Sequence, residues 1–150
     1  MTMPHECVVD TTVLQKANAP LNRELREHSQ FASRLRLLTH LMEGRLTLLV
    51  SSKLFQEYRR QIPEPRNDKI KALFELISSR PDRVIFNWKP RWSGADREKA
   101  RGCRYPKEDD HVLRTAVRPH GAAIITEEQR MLNADSCIYR EFRVHIFEPW

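Results

Sequence analysis

The sequence predicts an α/β fold with three layers (α/β/α), in which helices cover both faces of a central, mostly parallel sheet of about five strands. Short apolar runs rich in β-branched residues alternate with longer segments in which apolar residues recur at helical spacing. This alternation is typical of parallel strands joined by crossover helices. The length of 150 residues fits a single domain, 1–150, and a hydrophobic content of 40% is enough for one core.

The expected elements follow from these runs and from the residues that border them. Ser and Asp before an apolar stripe favour the start of a helix, whereas Gly and Pro favour its end. In chain order we expect a strand at 7–9, a long amphipathic helix at 22–42 ended by Gly44, a strand at 46–50, a helix that starts at Ser51 or Ser52, a helix from Asp68 to Ser78, a strand at 84–86, a helix at 108–117, a strand at 122–125, a helix that begins at Glu127, and a strand at 144–147.

The stretch 87–106 has no clear apolar period. It carries Trp88, Pro90, Trp92 and Gly94, followed by a basic tail. We predict a long surface loop, and loops of this length in a compact domain are usually functional or mobile.

The balance of charge favours a polyanionic partner. Lys and Arg number 26 against 20 Asp and Glu, which gives a net charge of +6 and a pI of about 9.5. No apolar run approaches the roughly 18 residues that span a bilayer, and the N-terminus lacks the pattern of a secretory signal. We therefore expect a soluble, cytoplasmic protein without a membrane segment.

The cysteines do not predict a disulfide framework. Cys7, Cys103 and Cys137 are an odd number at wide spacing, which fits a reducing compartment. A zinc site that combines Cys103 or Cys137 with His111 is a weaker alternative, because none of these pairs has the spacing of zinc ligands. The histidines are scattered, and we interpret them as surface or core residues, with His111, beside Asp109 and Asp110, as the exception.

Four carboxylates lie where a parallel sheet gathers its ligands, beyond the carboxyl ends of the strands. Asp10 follows the first strand directly, and Glu57 lies in the helix after the second. Asp109 lies at the start of the helix that follows the long loop, and Glu128 comes after the fourth strand. Carboxylates that converge repel one another, and a hard divalent cation such as Mg²⁺ or Mn²⁺ relieves that repulsion.

Such a cation can lower the pKa of a bound water and neutralise charge on a phosphodiester. The sequence has no Gly-rich phosphate loop and no convincing Ser/His/Asp or Cys/His arrangement. It therefore favours metal-dependent phosphodiester hydrolysis. Each acid also has a structural interpretation, because helix N-termini favour negative charge, and for Asp110 and Glu127 we prefer that interpretation.

Four segments, taken in order, resemble the motifs of PIN domains. They are VVDTTVL at 8–14, SSKLFQEYRR at 51–60, PKEDDHVLRTA at 106–116 and GAAIITEEQRML at 121–132. The resemblance implies catalytic and metal-binding roles for Asp10, Glu57, Asp109 and Glu128, with supporting roles for Thr12, Asp110 and Thr126. The sequence departs from the family at Glu128, where PIN domains usually carry Asp.

The resemblance also implies Mg²⁺- or Mn²⁺-dependent cleavage of single-stranded RNA, often by a homodimer. Many small bacterial members are toxins that a partner antitoxin protein holds silent. The basic residues expected to face RNA are Arg59, Arg60, Lys89, Arg91, Arg101, Arg104 and Lys107. Trp88 and Trp92 either stack on unpaired bases or pack within their loop.

Three alternatives keep the same fold. A catalytically degenerate PIN module would bind RNA or a protein partner without cutting, since Glu128 replaces the usual Asp. A toxin subunit would present the helix at 22–42 to its partner. A DNA-directed nuclease is also open, because phosphate contacts do not distinguish the two sugars.

Overall fold

A computed structural model describes residues 5–22 and 28–150 of the protein, and its strands form one parallel sheet. The strands are β1 (Glu6–Val9), β2 (Thr47–Val50), β3 (Val84–Phe86), β4 (Ala122–Ile125) and β5 (Val144–Phe147). Their order across the sheet is β3-β2-β1-β4-β5, so β1 lies at the centre. Every pairing is parallel, so all five strands end at the same edge of the sheet. The predicted three-layer α/β/α class is confirmed.

Eight α helices lie among the described residues. They are α1 (Thr11–Ala17), α2 (Ser29–Glu43), α3 (Ser52–Gln61), α4 (Asp68–Ser79), α5 (Gly94–Gly102), α6 (Asp110–Ala116), α7 (Gln129–Asn133) and α8 (Asp135–Phe142). A 3-10 turn, Lys107–Asp109, precedes α6. The helix α2 packs against α1 and α4, while α6 packs directly on β1, β2 and β4.

The three central strands, β2, β1 and β4, are the most buried part of the described chain. Val8, Leu49 and Ile124 are fully buried because helices cover both faces of the sheet. Strands in this position read as continuous apolar runs, which is why the sequence identifies them. Burial of each such side chain contributes roughly 1.5–3 kcal/mol to folding.

The prediction of a loop over 87–106 is wrong in its centre, where α5 forms. This helix buries only Ala100, so it has no apolar stripe that a sequence pattern could detect. A capping box stabilises its start instead: Ser93 Oγ accepts a hydrogen bond from Asp96 N, and Asp96 Oδ2 accepts one from Ser93 N, each at 3.0 Å.

The expected number of helices, about five, is also too low. Besides α5, the short helix α1 follows β1 directly, and the helix predicted to begin at Glu127 is divided at Ala134 into α7 and α8. The helix predicted at 22–42 starts too early, because α2 begins only at Ser29 and the described residues Asn22 and His28 are not helical; residues 23–27 lie outside the described residues. Gly44 ends α2 as predicted, with a positive φ of 79°.

The helix predicted from Asp68 is confirmed as α4, but the residue before it supplies the cap. Asn67, not Asp68, caps the helix, because Asn67 Oδ1 accepts a hydrogen bond from Ile70 N at 2.9 Å. The helix predicted at 108–117 is the 3-10 turn followed by α6, which ends at Ala116. Ser51 caps α3, as one of the two predicted candidates.

The prediction that the cysteines stay unpaired is wrong for two of them. Cys103, at the end of α5, forms a disulfide with Cys137 of α8, and the two Cα atoms lie 5.4 Å apart. Because both sulfurs are bonded to each other, the zinc site suggested for Cys103 or Cys137 is also wrong. Cys7 is free and fully buried, and burial raises the pKa of its thiol to about 12. No helix in the described ranges is long and apolar enough to cross a membrane.

Candidate active site

Asp10 lies at the carboxyl end of the central strand, held by two threonines. Its Oδ2 accepts hydrogen bonds from Thr12 Oγ1 at 2.9 Å and from Thr126 Oγ1 at 2.8 Å. Its backbone N donates to Ile125 O at 2.9 Å, which ties the end of β1 to the end of β4. The structure thus brings together three residues that the sequence singled out, Asp10, Thr12 and Thr126.

The carboxylate of Asp10 is 4% exposed, and its other oxygen, Oδ1, accepts no hydrogen bond from the described residues. Burial raises its pKa, the hydrogen bonds from Thr126 and Thr12 lower it, and the charge of Glu57 raises it again. A buried carboxylate with an unused oxygen is favourable only beside positive charge. Asp10 is therefore suited to holding a cation.

Asp109 ends the 3-10 turn and occupies the N-cap position of α6, where its side chain makes no cap hydrogen bond. Its half-buried carboxylate accepts no hydrogen bond from the described residues. Burial and the negative charge of Asp10 are the largest causes that raise its pKa, to about 6, and the charges of Glu108 and Glu128 add to the rise. Asp109 therefore lies in the electrostatic field of Asp10, Glu108 and Glu128.

Glu57 projects from α3 toward α6. Its Oε2 lies 2.7 Å from Nε2 of the buried His111, a close contact that is not aligned as a hydrogen bond. This contact lowers the pKa of Glu57, against the opposing effect of burial. The two helices are joined again nearby, where Thr115 Oγ1 lies 2.8 Å from Ser51 Oγ.

Glu128, the position at which the sequence departs from the family motif, uses both of its carboxylate oxygens. Oε2 accepts a hydrogen bond from Met131 N at 2.8 Å and so caps α7. Oε1 accepts one from Arg130 Nε at 2.7 Å, and Arg130 also reaches Glu108 at 2.6 Å. Glu128 is near enough to raise the pKa of Asp109, but it is engaged by Arg130.

The remaining two acids of these motifs form ion pairs. Asp110 pairs with Arg101 through two hydrogen bonds, one of them 3.1 Å long. Glu127 pairs with the buried Arg34 at 2.6 and 2.7 Å, and this contact lowers the pKa of Glu127. Both acids therefore have structural partners, which are arginines rather than the helix N-termini that the sequence suggested. Arg101 is consequently partly buried in its ion pair with Asp110.

No group of three or more Asp, Glu, His or Cys side chains within residues 5–22 and 28–150 is arranged to hold a metal ion. The donor chemistry still fits a divalent cation. Mg²⁺ commonly binds through one or two carboxylates, with water and substrate phosphates completing its shell. Asp10 and Asp109 offer oxygens without hydrogen-bond donors. The two carboxylates repel each other, and a bound cation would offset that repulsion.

The basic residues expected to face RNA are mostly on the surface. The exposed ones are Arg59, Arg60, Lys89, Arg91, Arg104 and Lys107. The two tryptophans differ: Trp92 stacks on Phe142, with ring centroids 5.8 Å apart, so it packs locally. Trp88 is 47% exposed and leaves part of its ring open.

Sequence reasoning missed the role of His111 and the partners of Glu128. Nothing local in the sequence links His111 to Glu57, although its place beside the Asp pair marked it as an exception among the histidines. For Glu128 the available signal was Arg130, two residues later. An arginine at that spacing can pair with the carboxylate and compete with a metal ion for it.

Comparison with known proteins adds one finding. A family model described as "PIN domain" matches residues 6–130, which run from β1 into α7 and include all the acids discussed above. No curated protein and no solved structure matched the chain.

Proposed function

The chain belongs to the PIN-domain family, and from this premise we propose that it is a metal-dependent endoribonuclease that hydrolyses phosphodiester bonds of single-stranded RNA. PIN domains are generally nucleases that use divalent metal ions. The choice of RNA as substrate and of Mg²⁺ or Mn²⁺ as the ion belongs to the proposal.

The observation that supports it best is the pair Asp10 and Asp109. Asp10 directly follows the central strand, both carboxylates have oxygens without donors, and the charge of Asp10 is a leading cause of the raised pKa of Asp109. Folding has brought two like charges together in a basic protein. A site for a cation explains this arrangement, whereas packing alone does not.

In the proposed site, Asp10 and Asp109 hold the divalent ion, and Glu57 is the third candidate ligand. When bound, the ion neutralises charge on the phosphodiester and makes a water molecule more acidic. Thr12 and Thr126 fix the orientation of Asp10. Arg130 must release Glu128 before that carboxylate can contribute.

The test is the cleavage of labelled single-stranded RNA with added Mn²⁺ by the wild type and by Asp10→Asn. We expect the variant to lose roughly 100-fold or more of the rate, because the ion supplies several kcal/mol of charge stabilisation. Glu75→Gln, at an exposed acid of α4, is the matched control and should cut normally. Unimpaired cutting by a folded Asp10→Asn protein would eliminate the proposal.

A second function, the degenerate module that binds RNA without cutting it, is favoured by one observation. Glu128 is engaged by Arg130 and by the α7 cap, so the position where the family motif has Asp is occupied by a carboxylate that already has partners. Titration with metal separates the two functions. A binding module keeps its RNA affinity in EDTA and cuts at no concentration of Mg²⁺ or Mn²⁺.

We propose the cytoplasm as the compartment, because the proposed substrate occurs there. In a reducing compartment the Cys103–Cys137 disulfide would be opened to two thiols, because glutathione and thioredoxin keep most cytosolic thiols reduced. If the protein is cytoplasmic, we expect its mass after rapid alkylation of cells to show that both cysteines of this pair are alkylated. A mass without these two alkyl groups would show that the disulfide is intact.

A further inference from the structure

A pocket of about 620 Å³ opens where β2 and β3 end. Its walls come from the start of α3, the segment after β3 and one side of α6. The residues that matter here are Lys53, Gln56, Trp88, Lys89, His111 and Arg114. His111 links this pocket to the proposed active site, because the same ring contacts Glu57 at 2.7 Å.

Trp88 provides an aromatic platform at this pocket. One face of its indole is stacked on Phe86, with centroids 4.7 Å apart and planes 17° apart, and Phe55 meets it edge-on at 6.4 Å. Its backbone O accepts a hydrogen bond from Ser52 N at 3.2 Å, which fixes the residue at the start of α3. Trp88 is nevertheless 47% exposed, so a rigid ring still presents open surface.

The rim of the pocket is positively charged. Lys53 and Lys89 are exposed, and neither has an ion-pair partner among the described residues. No acidic side chain within residues 5–22 and 28–150 lines the pocket. Arg114 donates a hydrogen bond to Pro90 O at 3.0 Å and so holds the wall in position. The rim therefore attracts an anion such as a phosphate.

The inner wall carries a buried polar group without a partner. His111 is 7% exposed, and its Nδ1 has no hydrogen-bond partner among the described residues. A buried ring nitrogen of this kind is unfavourable unless a polar group satisfies it. The open ring of Trp88 and the two lysines at the rim are accessible from the pocket, and together they indicate a ligand that combines a flat ring with negative charge.

We propose that this pocket receives one unpaired nucleotide of a single-stranded nucleic acid, next to the phosphodiester that Asp10 and Asp109 act on. The base stacks on Trp88, and the flanking phosphates lie near Lys53 and Lys89. The volume falls within the range of about 300–1,000 Å³ of small-molecule pockets. A base in a duplex is already stacked and cannot reach the ring, so the pocket selects single strands.

This inference rests on the proposed function for its location, but its test does not need cleavage. A short fluorescent single-stranded RNA is titrated in EDTA, where nothing is cut, and its anisotropy gives the dissociation constant. We expect Trp88→Ala to weaken binding about 10-fold and Trp88→Phe to recover part of the loss, because a phenyl ring still stacks. Tyr139→Ala, at a comparably exposed aromatic (38%) on α8, is the matched control and should bind like the wild type.

Two further measurements test the rest of the proposal. Replacing Lys53 and Lys89 together with Ala should flatten the dependence of binding on salt, because fewer counterions are released. A fully paired duplex should bind the wild type and Trp88→Ala equally. The proposal that this pocket binds a nucleotide would be overturned if the single strand bound the wild type and Trp88→Ala with equal affinity. It would also be overturned if the wild type did not bind the single strand.

The outcomes separate this inference from the proposed function. If the wild type cuts no RNA but Trp88→Ala still loses affinity for the single strand, the pocket stands and the nuclease does not. If cutting depends on metal and on Asp10 while Trp88→Ala binds normally, the nuclease stands and the pocket does not.

Discussion

His111 Nε2 lies 2.7 Å from Glu57 Oε2, and this contact joins the proposed active site to the neighbouring pocket. The two residues come from α6 and α3, which also meet where Thr115 approaches Ser51. His111 is the first cause of the lowered pKa of Glu57. The position of one carboxylate therefore depends on a histidine that the sequence does not link to it.

The first prediction is an energetic coupling between these two side chains. We expect His111→Asn to destabilise the protein, because it leaves Glu57 partly buried without its partner. Adding Glu57→Gln to this variant should restore most of the lost stability. A double-mutant cycle measured by urea unfolding should give a coupling of about 1 kcal/mol. Because the pKa of Glu57 is lowered from 4.5 in the folded state, its contribution is present above that pH and is lost as the pH falls below it.

The exposed pair Arg80 and Asp82 is the control for this cycle. Its side chains lie 3.1 Å apart, but both are more than half exposed. Solvent screens such pairs, so the corresponding cycle should give no measurable coupling. Equal coupling in the two cycles would show that the contact between His111 and Glu57 carries no special energy.

The second prediction concerns the stability of the protein without metal. The pKa of Asp109 is raised from 3.8 to about 6, so the folded state binds its proton more tightly than the unfolded state. Stability therefore falls as the pH rises through this interval, and the full penalty is present at neutral pH. After a reduction for solvent exposure, we expect Asp109→Asn to raise the free energy of unfolding by about 1–2 kcal/mol in EDTA at about pH 7.5.

Asp68→Asn, at an exposed aspartate in the first turn of α4, is the matched control. We expect it to lower stability slightly, since a negative charge at a helix N-terminus is favourable. A loss of stability in Asp109→Asn similar to that of the control would mean that Asp109 has no repulsion to relieve.

The third prediction concerns the dependence of metal binding on pH. A cation must displace the proton of Asp109, so its affinity should decrease as the pH falls through about 6. Added Mn²⁺ should raise the melting temperature of the wild type more at about pH 7.5 than at about pH 5, because ligand binding stabilises the folded state by mass action. Asp109→Asn should show little shift at either pH, whereas equal shifts of the wild type at both would contradict the assignment.

The sequence identifies the strands and the acids at their ends because both depend on local patterns. Val8, Leu49 and Ile124 are buried on a sheet covered on both faces, so apolar runs mark them directly. Asp10 comes directly after such a run. In a parallel sheet the carboxyl ends of all the strands lie at one edge, which is why the position of each acid after a strand was informative.

Other features depend on contacts that no local pattern encodes. Asp109 and Asp110 are adjacent in sequence, and only the pairing of Asp110 with Arg101 distinguishes their roles. The helix α5 lacks an apolar face, although Ser93 and Asp96 have the spacing of a capping box and could have indicated its start. The contact of His111 with Glu57 depends on tertiary structure. The pairing of Glu128 depends on the nearby Arg130.

The last prediction is that the Cys103–Cys137 disulfide stabilises the fold. It closes a loop across a separation of 34 residues and ties α5 to α8. Restricting the unfolded chain over such a loop is worth about 3–4 kcal/mol in the chain-entropy account. Reduction with dithiothreitol should lower the melting temperature of the wild type, while the variant with Cys103→Ser and Cys137→Ser melts at the lower temperature with or without reductant. A wild type that melts at the same temperature in both conditions would mean that this bond does not stabilise the folded state.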